Sequence, residues 1–128
     1  MHYTQTISSP FGSILLSADE VGLTGLWFDG GRYYAETLPE EHVERETPIL
    51  MDTKRWLDVY FTGSEPDFTP PLHPAGSPFR QTVWQLLLEI PYGQTTTYGA
   101  LAKRLGGVRM SAQAVGGAVG HNPISIII

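Results

Sequence analysis

The chain has 128 residues, 41% hydrophobic and 16% charged, with a formal net charge of −5 and no cysteine. That balance suits a packed core in one domain or two small lobes and excludes a disordered chain. The lack of cysteine excludes disulfides and thiolate zinc sites, and no run of about 18 apolar residues offers a membrane span. The start, MHYTQTISSPFGS, has neither the basic head nor the apolar block of a secretory signal. A cytoplasmic location is therefore expected.

The charge is unevenly placed. Residues 1–76 carry twelve acidic and four basic side chains, whereas residues 77–128 set Glu89 against Arg80, Lys103, Arg104 and Arg109. A basic lobe joined to an acidic one suits a polyanionic partner, although four bases also fit an ordinary surface.

The first third reads as strands. Residues 3–8 are rich in β-formers, FGSILLSA (11–18) follows a Ser-Pro break, and LTGLWFD (23–29) returns after a turn at 19–22. Residues 32–46 are polar and acidic and predict a loop or a short helix. Ile49, Leu50, Trp56, Leu57, Tyr60 and Phe61 then fall at helical spacing. Thr47 ahead of Pro48 marks the start of that helix, over 48–61, and Thr62-Gly63 its end. SEPDFTPPLHPAGSP follows, with five prolines between 66 and 78. Such a segment is stiff and extended and cannot enter a helix or sheet interior. The charge changes sign there, so the expected division is residues 1–76 and 77–128.

The second lobe reads as helical. Ser77 caps a helix with Pro78 in its first turn, and Phe79, Val83, Trp84, Leu86, Leu87 and Ile90 form its apolar stripe. Thr97 can cap a second helix, 98–105, with Leu101, Ala102 and Leu105 inward. Gly106 and Gly107 make a turn, and Ser111 can cap a third helix from Ala112 to Gly120. Three helices with a glycine turn before the third match a helix-turn-helix, a pattern many small helical domains share. The third helix, SAQAVGGAVGHN, holds Gly116 and Gly117 in its interior. Each costs about 1 kcal/mol relative to alanine. Either a ligand or another backbone comes very close to this helix, or it packs tightly on a neighbouring helix. Beyond it, GHNPISIII puts four isoleucines in the last five residues. Such residues belong in a core, so this end is either tied into a sheet or leads into further chain.

SPFRQTVWQLLLEIPYGQTTTYGALAKRL followed by SAQAVGGAVGHNPISIII resembles the methylated-DNA–protein-cysteine methyltransferases, the O6-alkylguanine-DNA alkyltransferases. The resemblance spans 77–128, with IPYG (90–93), TYGALA (97–102), AVGGAVG (114–120) and NPISIII (122–128) as its most specific phrases. It implies a two-lobed α/β architecture. The N-terminal domain would be ribonuclease H-like, and the C-terminal one a helical winged helix-turn-helix that binds DNA, incomplete in these residues. It implies repair by direct reversal: the alkyl group of O6-alkylguanine, or O4-alkylthymine, passes to a protein cysteine after base flipping, without cofactor or metal. In the family the NPI-like segment runs into Pro-Cys-His-Arg, so the acceptor cysteine is expected beyond Ile128, and these residues alone should not transfer an alkyl group. An exposed apolar end is expected for them in isolation.

The resemblance also assigns roles. Tyr98 matches a tyrosine that helps rotate the target nucleotide, though a boundary tyrosine with a wet hydroxyl would look the same. Ser111, Ala112, Gln113, Ala114, Gly116 and Gly117 match a recognition helix laid in the minor groove. Gln113 stands where many members have an arginine that enters the base stack. Arg109 is available for a phosphate contact. Asn122 matches the asparagine that braces the turn before the nucleophile, and an asparagine at a helix C-terminus is also common for conformational reasons. Ile126, Ile127 and Ile128 are expected in a core. The implied partner is double-stranded DNA carrying alkylated guanine, bound by a monomer with no membrane association, in the cytoplasm and on the nucleoid. His2, His42, His73 and His121 show no ligand spacing, and Trp27, Trp56 and Trp84 read as core anchors. The alternatives are an alkyltransferase-like protein, which binds lesions without transfer, and a plain winged-helix regulator.

Overall fold

The computed structural model describes residues 1–31, 34–91, 94, 95, 100 and 112–128, with backbone alone for 112–114. It forms two compact units, Met1–Ala75 with Pro123–Ile127, and Gly76–Asn122 with Ile128. No helix among the described residues is long and apolar enough to cross a membrane.

The first unit is a mixed sheet with one helix. Strand β1 (His2–Ser9) turns tightly at Pro10 and Phe11 into antiparallel β2 (Gly12–Ala18). Within that turn Ser9 Oγ accepts from the Phe11 amide at 3.2 Å and donates to the Gly12 carbonyl at 2.7 Å. Strand β3 (Leu23–Phe28) pairs antiparallel with β2, from Ile14 opposite Phe28 to Ala18 opposite Leu23. The sheet order is β3-β2-β1-β4, and β4 (His42–Glu44) runs parallel to β1. β4 lies in the stretch whose polarity predicted a loop or short helix. Its three residues are all exposed, so no buried face imposed an alternation that the sequence could display.

Helix α1 (Pro48–Phe61) has the predicted bounds. Thr47 Oγ1 accepts from the Leu50 amide at 3.3 Å, and Thr62 caps the other end. Its inward face, Leu50, Thr53, Trp56 and Leu57, is buried and packs across the three long strands. With Ile14, Leu16, Leu23 and Leu26, all at zero exposure, these residues form the core. Each such aliphatic side chain contributes about 1.5–3 kcal/mol on leaving water.

Strand β3 is at the edge of the sheet, yet its outer backbone is not open. The Leu23 amide donates to the Pro71 carbonyl and the His73 amide to the Leu23 carbonyl, each at 2.7 Å. Farther along, the Leu26 amide donates to the Pro123 carbonyl at 2.8 Å and the Ser125 amide to the Leu26 carbonyl at 3.1 Å. The proline-rich segment and the NPIS stretch thus each complete part of an edge that would otherwise be free to pair with another chain. The first contact is reinforced by Asp19. Its Oδ1 accepts from the Val21 and Gly22 amides at 2.9 Å each, and its Oδ2 meets His73 Nδ1 at 2.6 Å. Burial pushes the Asp19 carboxyl up, but hydrogen bonds from Gly22, His73 and Val21 outweigh it and hold it below its ordinary value.

The second unit contains helices α2 (Pro78–Leu88) and α3 (Ala112–Gly120). Ser77 Oγ caps α2, accepting from the Arg80 amide at 3.2 Å. The expected helix over 98–105 falls, apart from Ala100, outside the described residues, as do Gly106 and Gly107.

Candidate nucleic-acid interface

Helix α3 carries most of the residues assigned to binding. Its inward side is Val115 and Ala118, buried with Val83 of α2 and flanked by Phe79, Leu86, Leu87 and Val119. The two helices are also joined by a polar contact. Trp84 is buried, and its indole N–H donates to the Ala118 carbonyl at 2.9 Å. Gly76 makes room for that ring, because a Cβ there would lie 2.5 Å from Trp84 Cη2.

The other side of α3 is open. Gly117 and Gly120, three residues apart, are exposed. A Cβ added at either would meet nothing within 4 Å among the described residues. No neighbour among the described residues packs on Gly117; the expected helix over 98–105 lies, apart from Ala100, outside them. Gly116 is half-buried. Ala112, Gln113 and Ala114 form the first turn of α3, described in backbone only, while Tyr98, Arg109 and Ser111 lie outside the described residues.

The helix ends with the His121 amide donating to the Gly117 carbonyl and the Asn122 amide to the Val119 carbonyl, both at 3.1 Å. Asn122 also uses its side chain, with Nδ2 donating to the Ile128 carbonyl at 3.1 Å. In the first unit, Ile124 is fully buried beside Leu26, and the Ile127 amide donates to the Ser125 carbonyl at 2.8 Å. That bond spans three residues, with Ile126 between them at φ +71°. This is the rarer, strained form of γ-turn, and a bulky residue in such a conformation costs about 1–3 kcal/mol. Two expectations need correction. Among the last three residues only Ile127 is buried, and Ile126 and Ile128 are partly exposed. The apolar end is not simply exposed either, since Ile124 and Ile127 are within the first unit's core.

Sequence reasoning missed the Trp84–Ala118 bond and the Ile126 turn. A buried indole N–H needs an acceptor, so Trp84 in the apolar stripe of α2 signalled the first. Nothing in ISIII signalled the second. Among the described residues no cluster of three or more His, Asp or Glu could hold a metal. A cavity of about 370 Å³ lined by Tyr3, Asp19, Glu20, Thr47, Pro48 and Ile49 includes none of the residues assigned to binding.

Comparison with known proteins covers the whole chain. Residues 1–74 match the family model of the 6-O-methylguanine DNA methyltransferase ribonuclease-like domain, and residues 78–128 that of its DNA binding domain. A methylated-DNA–protein-cysteine methyltransferase of Methanosarcina acetivorans is 42% identical over 126 residues, covering 98% of this chain and 79% of the relative. One from Haemophilus influenzae is 40% identical over 129 residues, covering all of this chain and 70% of the relative. The crystal structure of Mycobacterium tuberculosis OGT in complex with DNA is similar with a TM-score of 0.82 and 35% identity, over 98% of this chain and 73% of that one.

Proposed function

The chain belongs to the methylated-DNA–protein-cysteine methyltransferase family, and on that footing we propose that it repairs DNA by moving the alkyl group of O6-alkylguanine or O4-alkylthymine onto a cysteine of its own polypeptide. These 128 residues contain no cysteine, and the relatives run longer than the matched region. The proposed acceptor is the cysteine of the Pro-Cys-His-Arg motif that, in the family, the NPI-like segment leads into. The residues described here bind and orient the lesion, and do not transfer on their own.

The alkylated oxygen lies within the base stack, so the nucleotide has to be rotated out of the duplex, at a cost of a few kcal/mol. Tyr98 assists that rotation, and Gln113 fills the space left behind. Gln113 is uncharged and shorter than arginine, so it holds the gap by packing and hydrogen bonding to the orphan base. Arg109 contacts a phosphate. The acceptor thiolate then attacks the alkyl carbon: the S–C bond forms, the C–O6 bond breaks, and the electron pair left on O6 re-forms the C6 carbonyl as the ring nitrogen N1 takes up a proton, which restores guanine. Asn122 holds the chain just before the thiol through the Ile128 carbonyl.

The observation that carries this reading is the open glycine face of α3. Gly117 and Gly120 leave those two outer positions of the helix without bulk, which suits a minor groove only about 6 Å wide. A major-groove regulator would carry long polar side chains there. The test is to express the full natural polypeptide and mix it with duplex DNA bearing radiolabelled O6-methylguanine. One methyl group transferred per protein, to cysteine, is the expected result. Lesion binding without transfer would make it an alkyltransferase-like protein instead, and no preference for lesion DNA would refute both.

A further inference from the structure

Helix α3 is nine residues long and has glycine at 116, 117 and 120. A helix so short and so rich in glycine is held by packing rather than by propensity. Its C-terminal end is irregular. A regular helix would pair the Val119 carbonyl with the amide of residue 123, but Pro123 has no N–H to offer. The Asn122 amide bonds to Val119 instead, at 3.1 Å, a three-residue step, whereas the bond before it, from His121 to Gly117, spans four. That step deprives the Ala118 carbonyl of its own ladder partner. The Trp84 indole N–H takes the vacant place at 2.9 Å. Trp84 and Ala118 are each 2% exposed, so water is no substitute for the indole. The ring itself is closely confined, since a Cβ at Gly76 would lie 2.5 Å from its Cη2 and 2.7 Å from its Cζ3.

We infer that Trp84 is a positioning residue for DNA binding: its indole caps the C-terminal end of α3 and fixes the register of the last turn. Ala118 lies between Gly117 and Gly120, the two bare outer positions, so holding its carbonyl fixes the backbone that carries them. Without the indole donor, the Asn122 amide can satisfy Ala118 only by giving up Val119. One carbonyl is then always short of a partner, and the last turn has two competing registers instead of one. This deepens the proposed function and rests on it, because the groove then meets a glycine face that α2 holds from behind.

The experiment replaces Trp84 with 3-benzothienylalanine, which keeps the shape of the ring but has sulfur in place of the N–H. Ser77→Ala serves as the control, because it removes the cap of α2 and destabilises the same unit without touching the Trp84–Ala118 bond. Both are made in the full natural polypeptide and compared with the unsubstituted protein under conditions where urea titration shows all three fully folded. The Kd for duplex DNA with O6-methylguanine is measured by fluorescence anisotropy, and exchange of the His121 and Asn122 amide protons by NMR. The benzothienyl protein is expected to bind about tenfold more weakly, as the loss of one ordering hydrogen bond implies, and to exchange the Asn122 amide faster. Ser77→Ala is expected to keep both the Kd and the exchange. An unchanged Kd in the benzothienyl protein would overturn the inference. So would a Ser77→Ala variant that binds as weakly, since any loss of stability would then suffice. If the unsubstituted protein does not bind DNA, the functional reading fails and exchange alone decides. Faster Asn122 exchange in the benzothienyl protein but not in Ser77→Ala then supports the cap, and any other pattern overturns it.

Discussion

Removing the Asp19 carboxylate should loosen the first unit where the proline-rich segment joins the sheet. The carboxylate is 14% exposed and accepts from two backbone amides while meeting His73. A hydrogen bond to a charged group contributes about 1.5–3 kcal/mol when buried. The Val21 bond is exposed and the His73 side chain is 52% exposed, so water replaces most of those two contacts. The bond from the partly buried Gly22 amide carries most of the effect. Asp19→Ala is therefore expected to cost about 2 kcal/mol at neutral pH, a loss of roughly 8–16 °C in Tm for a unit of this size. Asparagine can still accept from both amides, so Asp19→Asn should cost about 1 kcal/mol or less. The pH dependence separates charge from turn geometry. Because folding lowers the Asp19 pKa, its contribution is complete above the ordinary carboxylate value of about 3.9 and is lost as pH falls through the lower folded value. The gap between the unsubstituted protein and Asp19→Asn should therefore narrow as pH drops below about 4. Urea unfolding followed by tryptophan fluorescence from pH 7 to pH 3 would measure it. An Asp19→Ala variant within about 0.5 kcal/mol of the unsubstituted protein at neutral pH would refute the reasoning, as would an Asp19→Asn gap that stays constant into acid.

Trp84→Phe leaves the Ala118 carbonyl buried without its donor and should destabilise the second unit by about 1–3 kcal/mol, seen as a lower urea midpoint. Gly117→Leu places its side chain in open space, so stability should stay within about 0.5 kcal/mol of the unsubstituted protein. Its affinity for duplex DNA, by fluorescence anisotropy, should nevertheless fall about tenfold or more, because a groove about 6 Å wide cannot admit the added bulk. Ile124→Ala opens a cavity beside Leu26 and should cost about 2–5 kcal/mol in thermal or urea unfolding.

Helices with a local start signal were legible in the sequence. Thr47-Pro48 and Ser77-Pro78 each put a capping oxygen and a pre-set φ at a helix start, and the apolar spacing behind them did the rest. The hairpin strands were legible because β2 and β3 bury so much of their length that the apolar pattern could hardly be missed. β4 was not, since its only structural reason is pairing with β1, roughly 40 residues away. The two covers on β3 were hidden for the same reason, being backbone contacts whose side chains follow no periodic pattern. At the candidate interface the sequence offered two explanations for the paired glycines. At Gly117 no neighbour among the described residues approaches, and the proposed groove contact makes use of that open space. The γ-turn at Ile126 had no local signal, because isoleucine is among the last residues a turn with positive φ would select.

The two covers of β3 have a joint consequence. Leu23 takes the segment before the second unit and Leu26 takes the segment after it. Three residues of extended strand separate those points by about 10 Å. Residues 76–122 thus form an insertion whose ends are both fastened to one short strand. Closing that long insertion costs entropy once, and the hydrogen bonds at Leu23 and Leu26 offset it together. Weakening either fastening leaves the other to hold a looser loop. Leu26 is fully buried, and its backbone amide and carbonyl are both committed to the chain just ahead of Ile126. No motif marks it, and it makes none of the proposed DNA contacts, yet the segment from Pro123 to Ser125 is held to the sheet through its backbone.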